Sequence, residues 1–121
     1  MSDLYQLNEQ LIAASRALDG SLKFLEDSVA DFATAERAYR KAKAEAYLRS
    51  SGKNVQEREA NAEECRFGDE TLGDIRYRRD LAEGLKMAAL EGVRSRRTQL
   101  SAIQTLASLS KAEAEFARTG P

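Results

Sequence analysis

Between Arg37 and Lys53 the sequence reads RAYRKAKAEAYLRSSGK, with Arg37, Arg40, Lys41, Lys43, Arg49 and Lys53 set against a single acid, Glu45. Phosphate is the chemistry such a segment suits, because Arg and Lys at helical spacing can follow successive phosphates of a nucleic-acid strand and release its counterions. Arg37, Arg40 and Lys41 fall at i, i+3 and i+4 and so share one helix face. A second basic block follows later, where Arg76, Arg78, Arg79, Lys86, Arg94, Arg96 and Arg97 outnumber Asp80, Glu83 and Glu91. Arg94 and Arg97 again share a face. Tyr39, Tyr47 and Tyr77 lie within or beside these blocks, where a ring can stack on an unpaired base, as in single-strand binders.

Other chemistries find little support. There is no histidine to serve as an imidazole base, and the only cysteine, Cys65, sits among Glu63, Glu64 and Arg66, surroundings that discourage nucleophilic use. The glycines form neither a G-x-x-x-x-G-K-[ST] loop nor G-x-G-x-x-G, and no Cys/His spacing fits zinc. Glu59 and Glu63 read as solvated helix acids rather than a metal or acid/base pair. No enzyme activity, metal or cofactor is expected. A lone cysteine forms no intramolecular disulfide, which points to a reducing compartment, the cytoplasm. No apolar run approaches the roughly 18 residues that span a bilayer, and the opening MSDLYQLNEQ lacks the layout of a signal peptide. No membrane partner is expected.

The elements that must carry the basic blocks are helices. Proline occurs only at Pro121, and Ala, Glu, Arg, Leu and Lys dominate the chain, so the fold class read from composition is all-α. Residues 1–121 are expected to form a single helical domain. Ser2 or Asp3 caps a first helix over 3–50, along which Leu4, Leu11, Leu18, Leu25, Phe32, Tyr39 and Ala46 recur every seven residues. Leu7, Ala14, Ser21, Ser28, Ala35 and Ala42 accompany them. Such a repeat keeps one seam on a partner helix, as in a coiled coil. Tyr39 lies on this seam and is expected to be buried.

Ser50 to Asn54 supplies a turn, and Asn54 with Glu57 forms a capping box for a short acidic helix over 55–66. A linker over 67–75, interrupted by Gly68 and Gly73, leads to a long helix over 76–118, free to bend at Gly84 and Gly92. The predicted architecture is a long helical hairpin with coiled-coil-like packing. With 42% apolar residues, many of them alanine, and no Trp, the chain has material for only a thin seam. Association with further copies would relieve that shortage. A homo-oligomer is therefore expected, with Leu4, Leu11, Leu18, Leu25 and Phe32 as the associating stripe.

Charge is sorted along these elements. Residues 1–36 carry a net −5, 37–53 a net +5, 54–75 a net −5 and 76–97 a net +4, on a chain whose total is −1. Folding back through the acidic segment would bring the two basic blocks together near the turn and leave one cationic end on a nearly neutral molecule.

Two stretches extend this reading. Ala89 to Ile103, ALEGVRSRRTQLSAI, resembles a run in the UvsY-type recombination mediators of bacteriophages. There a similar Ala-Leu-acid-x-aliphatic-basic-Ser-Arg pattern precedes a helix. Ala42 to Leu48, AKAEAYL, leading to Ser51-Gly52, is similar to the basic segment that the same family places before a Ser-Gly turn and associates with DNA binding. Glu45 and Ala46 stand where that segment has Arg and Leu. The likeness spans roughly Val29 to Ser110.

It implies a homo-oligomer that binds single-stranded DNA and helps load a recombinase onto strands coated by a single-strand binding protein, in the cytoplasm of an infected bacterium. Lys43, Arg94 and Arg96 correspond to family positions. Arg37, Arg40, Lys41, Arg49, Lys53, Arg76, Arg78 and Arg97 join the candidate DNA-binding set on charge. The alternative function is a non-catalytic structural hairpin that ignores DNA, such as a phage assembly adaptor or a small secreted hairpin with a Trp-x-Gly turn. This chain has Ser50-Ser51-Gly52 at its turn and no Trp.

Overall fold

The computed structural model describes residues 4–119. Helix α1 (Leu4–Arg49) is followed by α2 (Val55–Glu63), the two-residue strands β1 (Arg66–Phe67) and β2 (Glu70–Thr71), and α3 (Leu72–Thr119). The chain is an all-α helical hairpin in which α1 and α3 pack antiparallel. The caps expected at Ser2 or Asp3 and the stops at Gly120 and Pro121 lie outside the described residues. Among those described, no helix is long and apolar enough to cross a membrane.

Both long helices run unbroken through their glycines, because the flanking residues are strong helix formers and an isolated Gly costs only about 1 kcal/mol. The connection between them departs from expectation. Asn54 caps α2 as predicted, its side-chain carbonyl accepting the Glu57 amide at 2.8 Å. Yet α2 ends at Glu63 rather than residue 66, and the predicted linker 67–75 is instead a small antiparallel ribbon pairing Arg66 with Thr71 and Phe67 with Glu70. Gly68 makes the ribbon's reversal with a φ of 69°, a conformation in which a Cβ is penalised.

Helix α3 consequently begins at Leu72, four residues before the expected Arg76. A second capping box explains this. Asp74 N–H donates to Thr71 Oγ1 at 3.2 Å and Thr71 N–H donates to Asp74 Oδ2 at 3.0 Å, so two otherwise unpaired donors are satisfied reciprocally. The same bonds, the backbone one first, hold the Asp74 carboxyl below its ordinary range.

Residue contacts divide the chain into two compact units, residues 1–25 with 89–121 and residues 26–88. In the first, Leu7, Ala14, Ala89 and Val93 are buried, with Leu11, Leu18, Leu25, Leu100 and Ile103 half-buried. In the second, Ala42 and Ala46 of α1, Ala62 of α2 and Leu72 and Ile75 of α3 form one core cluster, with Tyr39, Cys65 and Phe67 packed against it. The alanines shape this packing, since the small side chains of Ala42 and Ala46 leave room on α1 for Ala62, Leu72 and Ile75, with Tyr39 at the edge of the cluster. Gly52 continues the tight fit. A Cβ there would lie 2.7 Å from the Arg58 amide nitrogen.

The seven-residue stripe assigned to self-association is largely used within the chain. Leu11, Leu18, Leu25 and Phe32 are half-buried by their own chain, and only Leu4 is exposed. The repeat lines the buried side of α1. Its principal partner is the chain's own helical hairpin, because the antiparallel return of α3 reaches it without the entropy cost of bringing in another molecule.

Candidate nucleic-acid interface

The candidate cations fall into three groups in the second unit. Arg76 and Arg78, on the first turns of α3, are ion-paired with Glu63 and Glu70. Two acids of the 54–75 segment therefore pair with the first cations of the second basic block. Arg79, which was not among the candidates, reaches back to α1, where its Nε donates to Glu36 Oε2 at 2.5 Å. Its guanidinium carbon also lies 5.3 Å from the Tyr39 ring centroid. No local motif announces this pair, which is 43 residues apart in sequence and depends on the register of the hairpin.

The second group has uncharged partners. Lys43 Nζ sits 5.9 Å from the Tyr39 centroid and 5.8 Å from that of Tyr47, within cation–π range. Arg49 stacks over Phe67 at 4.4 Å and donates to the Arg66 carbonyl at 3.3 Å, joining the end of α1 to β1. Tyr39 and Tyr47 are both half-buried, as the seam position predicts for Tyr39, and burial followed by the Glu59 carboxylate raises the Tyr47 hydroxyl above its ordinary pKa. Of the three tyrosines proposed to stack on bases only Tyr77 is well exposed, at 65%.

The third group is the one open to a ligand. Arg37, Lys41 and Lys53 are exposed and make no ion pair, hydrogen bond or ring contact with another described residue. Arg40 lies beside Arg37 and Lys41 on α1, its side chain 78% exposed, with Nε donating to Glu36 Oε1 at 2.8 Å. Glu36 thus accepts from both Arg40 and Arg79. The Arg40 bond, then that of Arg79, outweighs burial and holds the Glu36 carboxyl below its usual range. A lowered folded-state pKa contributes stability that is complete above the ordinary glutamate range and is lost as pH falls through the folded value. Glu36→Gln is accordingly expected to lower the thermal midpoint at pH 7 and to flatten its decline between about pH 5 and pH 3, as followed by circular dichroism.

In the first unit, Arg94 donates to Glu91 at 2.5 Å and Arg96 to the Gln99 side chain at 3.2 Å, both within α3. Arg97 is exposed and has no partner among the described residues. The structure therefore separates the candidates. Arg37, Arg40 and Lys41 on α1, Lys53 in the turn and Arg97 on α3 remain exposed, whereas Arg76 and Arg78 are paired with acids. No group of His, Cys, Asp or Glu among the described residues is arranged to hold a metal ion.

Known proteins add nothing to this geometry. Neither a family model, a curated protein nor a solved structure matches the chain.

Proposed function

We propose that the chain is a non-catalytic helical hairpin that binds single-stranded DNA along the exposed face of α1 formed by Arg37, Arg40 and Lys41. Lys53, in the turn that follows α1, is a further exposed cation. The observation that carries this reading is that Arg37 and Lys41 are exposed with no partner among the described residues, whereas Arg76 and Arg78 are paired with Glu63 and Glu70. Spread over a helix face, these groups suit a flexible polyanion better than a compact anion. Such contacts are individually weak and sequence-independent.

In the recombination mediators that the sequence resembles, loading of a recombinase follows from holding the strand. The same role is proposed here, with the chain acting as a scaffold toward a recombinase and a single-strand binding protein. Several copies on one strand would add their weak sites by effective concentration. A fluorescence anisotropy titration on an unstructured oligothymidylate tests the reading. Binding is expected near 50 mM salt, roughly, and should weaken steeply by about 200 mM; no anisotropy change at the lower salt would discard it. The second reading, an assembly adaptor indifferent to DNA, draws on the exposed Leu81, Leu85, Leu109 and Phe116 and predicts that null result.

A further inference from the structure

The outer face of α1 has an internal symmetry that the DNA reading leaves unused. Asp27, Ala30, Asp31, Thr34, Arg37, Ala38 and Lys41 are all exposed and follow one another at steps of three, one, three, three, one and three residues. These steps place them within one stripe of the helix. About Thr34 the stripe mirrors itself in side-chain size and inverts in charge. Ala30 mirrors Ala38, Asp31 mirrors Arg37, and Asp27 mirrors Lys41.

Two copies of α1 laid antiparallel, with a two-fold axis at Thr34, would set each of these acids against a base, and symmetry makes every such contact twice. The alanines at the centre permit helix axes to approach at the short end of the usual ~8–10 Å range. Thr34 brings no unpaired donor to the contact, since its hydroxyl donates to the Ala30 carbonyl at 3.1 Å. A parallel pairing in register does the opposite, placing Asp31 on Asp31 and Arg37 on Arg37. Asp31 and Arg37 have no partner in their own chain among the described residues, whereas Asp27 already has an interaction there. The charge argument therefore rests on Asp31 and Arg37.

Beside this stripe lies an open groove of about 400 Å³ between α1 and α3, lined by Asp31, Thr34 and Ala38 on one side and by Leu81, Leu85 and Arg78, itself paired with Glu70, on the other. The two leucines are 51% and 58% exposed. A neighbouring helix over Thr34 would cover them, adding apolar burial to the charge register.

We propose that this face is the docking site of a second copy of the chain, α1 against α1, antiparallel about Thr34. The pairing engages Arg37 and covers Lys41. A second copy and a polyanion then compete for the same surface, a consequence that rests on the DNA reading, whereas the pairing itself does not.

Sedimentation equilibrium on the full chain without DNA tests the proposal through charge exchange. Wild-type protein is expected to dimerise, and Asp31→Arg and Arg37→Asp each to weaken the dimer by at least about tenfold, since each change sets like charges opposite one another twice. The double variant Asp31→Arg/Arg37→Asp restores opposite charges and is expected to recover the dimer. Circular dichroism on each variant checks that helicity is kept. A monomeric wild type, single variants that associate like wild type, or a double variant that fails to recover would each overturn the proposal. Anisotropy on the same proteins reports the DNA reading separately, so either idea can fail alone.

Discussion

Replacing Arg37, Arg40 and Lys41 together by glutamate is expected to weaken oligothymidylate binding by about 100-fold or more while leaving the helical signal unchanged. Three charge-assisted contacts at about 1 kcal/mol each amount to roughly two decades of affinity, and the introduced carboxylates add repulsion toward phosphate. The fold should tolerate the change. Arg37 and Lys41 have no intrachain partner among the described residues, and the Arg40 to Glu36 pair is an exposed i,i+4 contact of a class worth little. Glu36 also keeps Arg79. Unchanged binding by this variant would reduce the strip to an ordinary solvated surface.

The largest effect on stability is expected from Leu72→Ala. Leu72 is only 2% exposed and packs with Ala42, Ala46, Ala62 and Ile75. It is also the first residue of α3, its amide donating to the Cys65 carbonyl at 3.0 Å. Its loss leaves a cavity walled largely by alanines on helices that are already close, so little can move in to fill it. A cost of about 2–5 kcal/mol follows, a large share of the roughly 5–15 kcal/mol that holds a typical domain together. Urea denaturation measures it. Leu106→Ala, at a position 53% exposed, serves as the contrast, with a change expected within about 0.5 kcal/mol.

The elements most legible in the sequence were those repeated over many residues. A 46-residue helix with one apolar position every seven announces both itself and its buried side, and the turn at Ser50 to Asn54 with the Asn54 cap was readable from side-chain type. The start of α3 was written there too, in Thr71 and Asp74 at capping-box spacing. It was obscured by Gly68 and Gly73, which read as a continuing linker when only Gly68 makes a reversal. What local pattern does not encode is which charges meet. Arg76 and Arg78 look as basic in sequence as Arg37 and Lys41. Their fates diverge because the ribbon carries Glu70 back beside the first turns of α3 and α2 brings Glu63 there. The Arg79 to Glu36 pair depends likewise on hairpin register, which periodicity alone leaves open. The expected cationic end is therefore narrower than net charge suggests, because Arg76 and Arg78 are paired with Glu63 and Glu70.

That division of labour among the arginines and lysines is best tested by the salt dependence of oligothymidylate affinity, measured below the self-association range for wild type, Arg37→Gln/Lys41→Gln and Arg76→Gln/Arg78→Gln. Each phosphate contact on a single strand contributes about 0.7 to the slope of log affinity against log salt. Neutralising Arg37 and Lys41 should therefore lower the slope by about 1.4, whereas neutralising Arg76 and Arg78 should leave it at the wild-type value. Equal slopes for the two variants, or the larger loss in the α3 pair, would contradict the account.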